Sequence, residues 1–259
     1  MVKRVFITAP EAYQPRFREA FRRAGVQELV PVFRPFIRTV ATPDAAEFRD
    51  FVSRHEDFDF IICSSRMAVT VLAMSDIQFS ASDGRIIAIG KDQDAVRCML
   101  GVEPALTDAE PSMMGIVEAL KRLPKMGAKR VAVLLPAFSA LPVPSTITNF
   151  LEALALTRAD VTTVHCYCTS ALGADEYDDV VAALAGDGID AIALTSGGEA
   201  HVLADVLRHA SCRGIELDVP VYSFGPYTTK CAHEAGLTVC ATSSNFHSFD
   251  EYVCFLKRI

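Results

Sequence analysis

The sequence predicts an α/β protein made of two pseudo-equivalent lobes, each a parallel sheet flanked by helices. Three observations predict this fold class. Short apolar strand patterns alternate with helical patterns along the whole chain. One strand–helix order occurs twice, and two extended segments bracket its first copy. Together they predict lobes joined by a two-stranded linker, with a cleft between them.

The composition is that of an ordinary globular protein and excludes several classes of function. The 259 residues can bury a full core, and 51% of them are apolar. A net charge of −7 argues against nucleic acid as a partner, since phosphate binding needs a basic surface. No apolar run is long enough to span a membrane. We expect a monomer, because no large apolar surface repeat suggests self-association.

The N-terminal region enters a strand pattern directly, without the apolar stretch of a signal peptide. We therefore expect a cytoplasmic protein. The plastid stroma is the alternative for a protein whose transit peptide has been removed.

The cysteines indicate a reducing compartment. They form no CxxC pair, and most lie inside apolar runs, so we expect reduced, buried thiols rather than disulfides or metal ligands. The eight are Cys63, Cys98, Cys166, Cys168, Cys212, Cys231, Cys240 and Cys254.

The first forty residues predict a strand, a helix and an extended segment. Val2–Thr8 is an apolar strand pattern, and Gln14–Ala24 is a helical one with basic residues in its last turns. Glu28–Val40 is an extended pattern, and Pro31 and Pro35 place it at a sheet edge or in a crossing segment.

The rest of the chain alternates strands with helices, apart from a proline-rich loop at Pro136–Ser145. The predicted strands are Phe58–Cys63, Arg85–Ile89, Arg130–Leu135, Val161–Thr169, Asp190–Leu194 and Pro220–Phe224, and Cys240–Ser244 is a strand end or a loop. The predicted helices are Asp44–His55, Met67–Met74, Met113–Leu123, Ile147–Leu156, Tyr177–Leu184, Glu199–His209 and Phe249–Leu256, besides one in each glycine corner.

A glycine corner is a strand, a turn glycine, a helix and a second glycine that ends the helix. It occurs in Gly84–Val102 and in Val221–Val239. The two glycines are 11 residues apart in both copies, Gly90 to Gly101 and Gly225 to Gly236.

A matching unit precedes each corner. FDFIICSSRMAVTVLA and IDAIALTSGGEAHVLADVL both predict an apolar strand, then Ser-Ser or Thr-Ser, then a helix. Because the two extended segments bracket the first copy, we expect this copy to be inserted within the other domain. Lobe one is then 1–36 plus 170–259, lobe two is 40–162, and the linker strands lie near 31–40 and 161–169.

These motifs in this order resemble the uroporphyrinogen-III synthase family over nearly the whole chain. They are strand-[ST]-S-helix, strand-G-x-x-T-helix-G, a V-x-x-Y-x-T crossing strand and a second G-P-x-T corner. The resemblance implies a cofactor-free lyase of tetrapyrrole and heme biosynthesis, with no metal. It would cyclise hydroxymethylbilane to uroporphyrinogen III, inverting the terminal pyrrole ring and losing water. Hand-over of substrate from hydroxymethylbilane synthase is also implied.

The resemblance assigns roles to four residues of this chain. Tyr167 falls on the cleft tyrosine that is proposed to help expel the substrate hydroxyl as water. Thr228 falls on the threonine of the second corner, and Ser65 and Ser196 fall on the serines after the paired strands.

Three positions depart from the family pattern. Ala9 replaces the arginine of I-T-R-P, Gln93 stands where the first corner usually has threonine, and the loop Pro136–Ser145 replaces a short glycine-containing turn. They motivate an alternative, an inactive or weak paralogue acting as a tetrapyrrole-binding or regulatory module. A two-lobed receptor for small anions is a third interpretation, although a secreted receptor normally carries a signal peptide.

The implied substrate carries eight carboxylates, which an acidic protein must bind locally. Helix N-termini supply unpaired N–H groups and partial positive charge. Ordinary αβ corners explain the same serines and glycines without a ligand, but duplication and resemblance favour binding. The predicted substrate-binding residues are Ser65, Arg66, Gly90, Lys91, Ser196, Gly197, Gly225 and Thr228.

Arg66 and Lys91 are the preferred cations, because they lie directly beside predicted helix starts. Arg34, Arg38 and Lys230 are further candidates. Strand alternation predicts that Arg34, Phe36 and Arg38 point the same way.

Tyr167 is the predicted catalytic residue. A tyrosine phenol is protonated at neutral pH and can donate to a departing hydroxyl. A pyrrole nitrogen lone pair already expels that group as an azafulvene-type cation, so catalysis would be mostly positioning. Without the resemblance, a tyrosine packed in a strand explains this residue better than catalysis does, and with the resemblance the two explanations are about equal.

Overall fold

The chain forms two compact units in a computed structural model that describes residues 2–186, 188–246 and 248–258. Unit 1 contains Met1–Arg38, Ala140–Pro142 and Ser170–Ile259. Unit 2 contains Thr39–Ser139 and Val143–Thr169.

Strands and helices alternate along most of the chain. The strands are β1 (Lys3–Ile7), β2 (Leu29–Phe33), β3 (Ile37–Ala41), β4 (Phe60–Cys63), β5 (Ile86–Ala88), β6 (Arg130–Ser139), β7 (Asp160–Ala171), β8 (Ala191–Leu194), β9 (Val221–Ser223) and β10 (Val239–Thr242). The helices are α1 (Gln14–Arg23), α2 (Ala46–Ser53), α3 (Arg66–Ala73), α4 (Asp92–Ala95), α5 (Met113–Lys121), α6 (Ser145–Ala155), α7 (Tyr177–Gly186), α8 (Gly197–Cys212), α9 (Pro226–Glu234) and α10 (Phe249–Leu256).

The strands form two five-stranded sheets, in the orders β10-β9-β8-β1-β2 and β3-β7-β6-β4-β5. Every neighbouring pair of the first sheet is parallel. In the second sheet β4 pairs in parallel with β5 and β6. β3 and β7 run antiparallel, because the Leu172 amide bonds the Phe36 carbonyl while the Thr42 amide bonds the Cys166 carbonyl. The predicted α/β class with parallel sheets is confirmed.

Both faces of the first sheet are buried, which explains why its strands are almost continuously apolar. Phe6 and Ile192 enter one hydrophobic core. Their neighbours Val5, Ile7 and Ala191 enter another. Successive strand residues point to opposite faces, so each strand supplies two cores and polar residues are confined to the strand ends.

The extended segment expected over Glu28–Val40 is broken in the structure. β2 ends at Phe33 and β3 begins at Ile37, so residues 34–36 follow no strand alternation. Phe36 is fully buried while Arg34 and Arg38 are exposed, so the expectation of one shared face is wrong. The placement of Pro31 in an edge strand is confirmed, because β2 ends its sheet.

The loop expected at Pro136–Ser145 is in part a strand, because β6 continues to Ser139. β4 pairs only as far as Leu134, so Pro136 lies beyond the last β4 partner and its missing N–H breaks no bond to that strand. Next come Ala140–Pro142, which belong to unit 1, where Leu141 packs on the core. The prediction of an apolar loop missed both features.

The glycines that end the corner helices are confirmed, since Gly101 and Gly236 have φ of 69° and 85°. The turn glycines differ, contrary to the expectation of one repeated design. Gly90 is left-handed with φ 49°, whereas Gly225 is extended with φ −170°. The first corner also has a helix of only four residues, α4, which continues as a π-helix over Val96–Leu100.

All eight cysteines are free thiols, but the expectation of burial is wrong for half of them. Cys98, Cys212, Cys240 and Cys254 are exposed. Within the described part of the chain, no helix is long and apolar enough to cross a membrane.

Replacing Gly101 with alanine tests the left-handed corner. A β-carbon there would meet no atom within 4 Å, so the cost is backbone strain alone. We expect Gly101→Ala to lower the free energy of unfolding by about 1–2 kcal/mol, measured by urea denaturation. Gly84→Ala is the control in the same unit, since its β-carbon also meets nothing, and should change stability by less than about 0.5 kcal/mol. Equal losses in the two variants would contradict the prediction.

Candidate active site

The predicted substrate-binding residues lie after the carboxyl ends of parallel strands, where open α/β sheets bind ligands, whereas Tyr167 lies within β7. In unit 2, Ser65 follows β4 and Gly90 follows β5. In unit 1, Ser196 follows β8 and Gly225 follows β9. Because neighbouring parallel strands end at the same edge, each unit brings two of these helix starts together.

Ser65 and Tyr167 meet at the start of α3. The Tyr167 hydroxyl lies 2.8 Å from Ser65 Oγ. Tyr167 is 6% exposed and belongs to the core of unit 2, which fixes its ring. Ser65 caps α3, its Oγ accepting the Ala68 amide at 3.3 Å. The phenol is therefore held beside backbone amides whose dipoles favour negative charge.

Arg66 links the two helix starts of unit 2. Its Nε donates to Asp92 Oδ1 at 3.1 Å, and its Nη2 donates to the Lys91 carbonyl at 3.2 Å. The side chain is 63% exposed, so the ion pair with Asp92 is weak and can rearrange. Lys91 is also exposed and precedes α4.

In the turn at Gly90, the backbone amides that could bind an anion already donate to backbone carbonyls of the same turn. The amides of Asp92, Gln93 and Asp94 donate to the carbonyls of residues 89, 90 and 91 at 2.9, 3.1 and 3.3 Å. The first turn also carries two carboxylates, Asp92 and Asp94. Its geometry therefore does not support the expectation that the α4 start binds an anion.

The start of α8 is occupied by an internal carboxylate, that of Glu199. This side chain is fully buried and accepts four hydrogen bonds. Its Oε2 accepts from Thr8 Oγ1 at 2.6 Å and from the Thr195 amide at 2.7 Å. Its Oε1 accepts from Thr195 Oγ1 at 2.6 Å and from Ser196 Oγ at 3.0 Å. Glu199 therefore ties the ends of β1 and β8 to the α8 start.

Burial raises the pKa of Glu199, although the hydrogen bonds from Thr195, Thr8 and Ser196 oppose that shift. The Thr8 hydroxyl can serve both protonation states. It donates to ionised Glu199, or it accepts from protonated Glu199 and donates to the Ala193 carbonyl 3.1 Å away.

Ser196 and Gly197 have structural roles in this geometry. Ser196 caps α8 through the Glu199 amide. A β-carbon on Gly197 would lie 2.6 Å from Cys231 Sγ, so glycine permits close packing of α8 on α9. Sequence reasoning missed Glu199, yet Ser196 and Glu199 show the Ser-x-x-Glu spacing of a capping box.

The start of α9 has no acidic residue in its first turn, and neither does that of α3. Gly225 is the N-cap of α9, and Pro226 follows it. Thr228 is buried, with Oγ1 3.4 Å from the Thr195 carbonyl, so its hydroxyl joins α9 to the β8 end. Of the four helix starts, those of α3 and α9 lack a carboxylate of their own.

The thiols near Tyr167 are poor nucleophiles. Burial raises the pKa of Cys166 to about 12 and raises that of Cys63 further still. Only the thiolate reacts readily, so both remain inert at neutral pH. Among the described residues, no group of three His, Cys, Asp or Glu side chains could hold a metal ion.

Comparisons with known proteins give one family. A family model described as uroporphyrinogen-III synthase HemD matches residues 15–250. A mutant uroporphyrinogen III synthase from the extreme thermophile Thermus thermophilus is 16% identical, covers 99% of this chain and 98% of its own, and has a TM-score of 0.60. A uroporphyrinogen-III synthetase from Helicobacter pylori is 13% identical, with 100% of both chains covered and a TM-score of 0.59. No curated protein sequence matches the chain.

Removing the Glu199 carboxylate should destabilise unit 1. Glu199→Ala leaves the Thr195 amide and three hydroxyls without their buried acceptor, so we expect a loss of about 2–4 kcal/mol in urea denaturation. Glu199→Gln keeps the shape and should lose less. The exposed Glu234→Ala is the control, and a loss as small as that of the control would contradict the prediction.

The raised pKa of Glu199 also predicts a pH dependence. In the window between its unfolded and folded pKa values, the folded chain binds a proton that the unfolded chain releases. The stability of wild type relative to Glu199→Gln should therefore fall as pH rises above the ordinary glutamate pKa of about 4.3. Denaturation of both proteins at a series of pH values measures this difference, and a rise with pH would show that the hydrogen bonds prevail.

Proposed function

We propose, since the chain belongs to the uroporphyrinogen-III synthase family, that it cyclises hydroxymethylbilane to uroporphyrinogen III. In this reaction the terminal pyrrole ring is inverted and water is lost. The observation that carries the proposal is the 2.8 Å contact between the Tyr167 hydroxyl and Ser65 Oγ at the α3 start. It supports the proposal because the Tyr167 hydroxyl then lies beside a helix N-terminus without a carboxylate of its own.

Tyr167 is proposed to protonate the departing hydroxyl. Ser65 Oγ accepts the Ala68 amide, so Ser65 can direct its single proton to the Tyr167 oxygen. Tyr167 then donates its own proton to the substrate. The carbon–oxygen bond breaks, the hydroxyl leaves as water, and the pyrrole nitrogen lone pair stabilises the cation that remains.

The substituted carbon of the terminal ring then attacks the cation and forms a carbon–carbon bond, which gives a spiro intermediate. The older bond from that carbon to the methylene bridge of the preceding ring breaks, and the free α-carbon of the terminal ring bonds to that bridge, so the ring is inverted. The proton lost when the pyrrole regains its aromaticity restores the Tyr167 phenol. No step needs an electron carrier or a metal, so we propose a cofactor-free carbon–oxygen lyase. The remaining contribution of the protein is to hold a flexible chain in the reactive geometry.

The substrate carboxylates are proposed to bind where a helix start is not already occupied. Ser65 and the α3 amides supply one such place, and Gly225 and the α9 amides supply another. Arg66 and Lys91 are exposed cations beside α3 and α4 and can approach further carboxylates. Ser196, Gly197, Gly90 and the Thr228 hydroxyl support the turns. We also propose a monomer that receives its unstable substrate from hydroxymethylbilane synthase.

Generating hydroxymethylbilane in the presence of the purified protein, and separating the product isomers, tests the proposal directly. Formation of isomer III is expected, whereas isomer I alone would overturn the enzymatic proposal. The second candidate is the tetrapyrrole-binding module that Ala9, Gln93 and the segment Pro136–Ser145 motivate. Tight binding of a porphyrin without isomer III would support that candidate.

Tyr167→Phe should lower kcat about 10–100-fold, at or below the lower end for general acid catalysis, because the pyrrole lone pair already helps to expel the hydroxyl and the variant removes only the proton donor while keeping the packed ring. KM should change little, and the amount of isomer III formed per minute in the coupled assay measures the loss. Tyr177→Phe removes a hydroxyl in unit 1 and is the control. Unchanged kcat in Tyr167→Phe would exclude the phenol as the acid.

A further inference from the structure

Two exposed aromatic side chains lie at the start of α9. Tyr227 is 37% exposed and Phe246 is 42% exposed. Among the described residues, Tyr13 is the one other aromatic with a large exposed surface. Tyr13 packs its ring on Phe249 in the α1–α10 region, at 5.5 Å between centroids. Exposed rings therefore concentrate at the same helix start that lacks a carboxylate.

Both rings lie against glycine backbone at the edge of the unit 1 sheet. A β-carbon on Gly225 would lie 2.7 Å from Phe246 Cβ and 3.0 Å from its Cγ. A β-carbon on Gly197 would lie 3.5 Å from Cε1 of Tyr227. Because the two glycines have no side chain, the rings can pack against the backbone at the ends of β8 and β9. A ligand bound there would lie near the α9 amides.

The charges around this place suit an anionic ring compound. The first turn of α9 has no acidic residue, and Lys230 in the next turn is exposed, with Nζ 3.7 Å from Glu234. The neighbouring α8 start already carries the Glu199 carboxylate, which disfavours a second negative charge there. An aromatic surface beside a helix N-terminus matches a flat ring that carries acidic substituents.

We propose that Tyr227 and Phe246 bind one pyrrole ring of the linear tetrapyrrole by stacking, while a carboxylate of that ring meets the α9 start. This inference rests on the proposed function and identifies the ring-binding part of its site. A pyrrole is planar and rich in π electrons, so offset or edge-on contact with an aromatic side chain is favourable. The residues are assigned to substrate positioning, and Tyr167 remains the acid.

Tyr227→Leu and Phe246→Leu test the stacking, because leucine keeps an apolar side chain without a ring. We expect KM for hydroxymethylbilane to rise about 5–10-fold in each, with kcat nearly unchanged. Phe246→Tyr keeps the ring and should recover most of the affinity. Tyr13→Leu removes an exposed ring elsewhere in unit 1 and is the control for a general loss of stability.

A binding measurement separates this inference from the enzymatic proposal. Uroporphyrin III, a stable octacarboxylate, is titrated into each protein, and the shift of its absorption band gives Kd. Weaker binding by Tyr227→Leu and Phe246→Leu, about 5–10-fold, supports the stacking even if no isomer III is formed. Equal Kd and KM in wild type and both leucine variants would overturn it while leaving the enzymatic proposal intact. No binding to wild type would overturn it as well.

Discussion

Parallel pairing between strands buried on both faces is the constraint on which the candidate site depends. β1 sends Phe6 into one core and Val5 and Ile7 into another, so the first polar side chain at its carboxyl end is that of Thr8. β4, β8 and β9 end in the same way, each a residue or two before a helix start. Since parallel neighbours end together, the helix starts collect at one edge of each sheet without any ligand to gather them.

The two copies of the strand–helix framework carry different residues at these helix starts. The position three residues after the capping serine is Ala68 in α3 and Glu199 in α8. Ala68 carries no charge, so the positive end of the α3 dipole can interact with an external anion. Glu199 supplies a negative charge at the α8 start from the protein itself, and it also links β1 to β8. The corners differ likewise, since α4 carries Asp92 and Asp94 and α9 carries no acid in its first turn. Each unit therefore keeps one stabilised start and one receptive start.

Sequence reasoning predicted the elements and the fold class well, because apolar periodicity reports burial locally. It also predicted the helix ends at Gly101 and Gly236, which depend on backbone chirality alone. It did not predict the different φ of Gly90 and Gly225, nor the contact of Phe246 with Gly225, because both depend on residues distant in the chain. The carboxylate of Glu199 was missed although its Ser-x-x-Glu spacing is local. The extension of β6 through Pro136 was missed because a proline fits in this strand only beyond the last residue that pairs with β4, and the sequence does not show where that pairing ends.

The pairing of β1 with β8 affects the order in which the two units can fold during synthesis on the ribosome. Thr8 and its partner Ala193 are 185 residues apart, and all of unit 2 emerges between them. At roughly 5–20 residues per second, the edge of β1 that pairs with β8 waits on the order of ten seconds or more for its partner strand. All strands of unit 2 have been synthesised by then, so that unit can complete its sheet first.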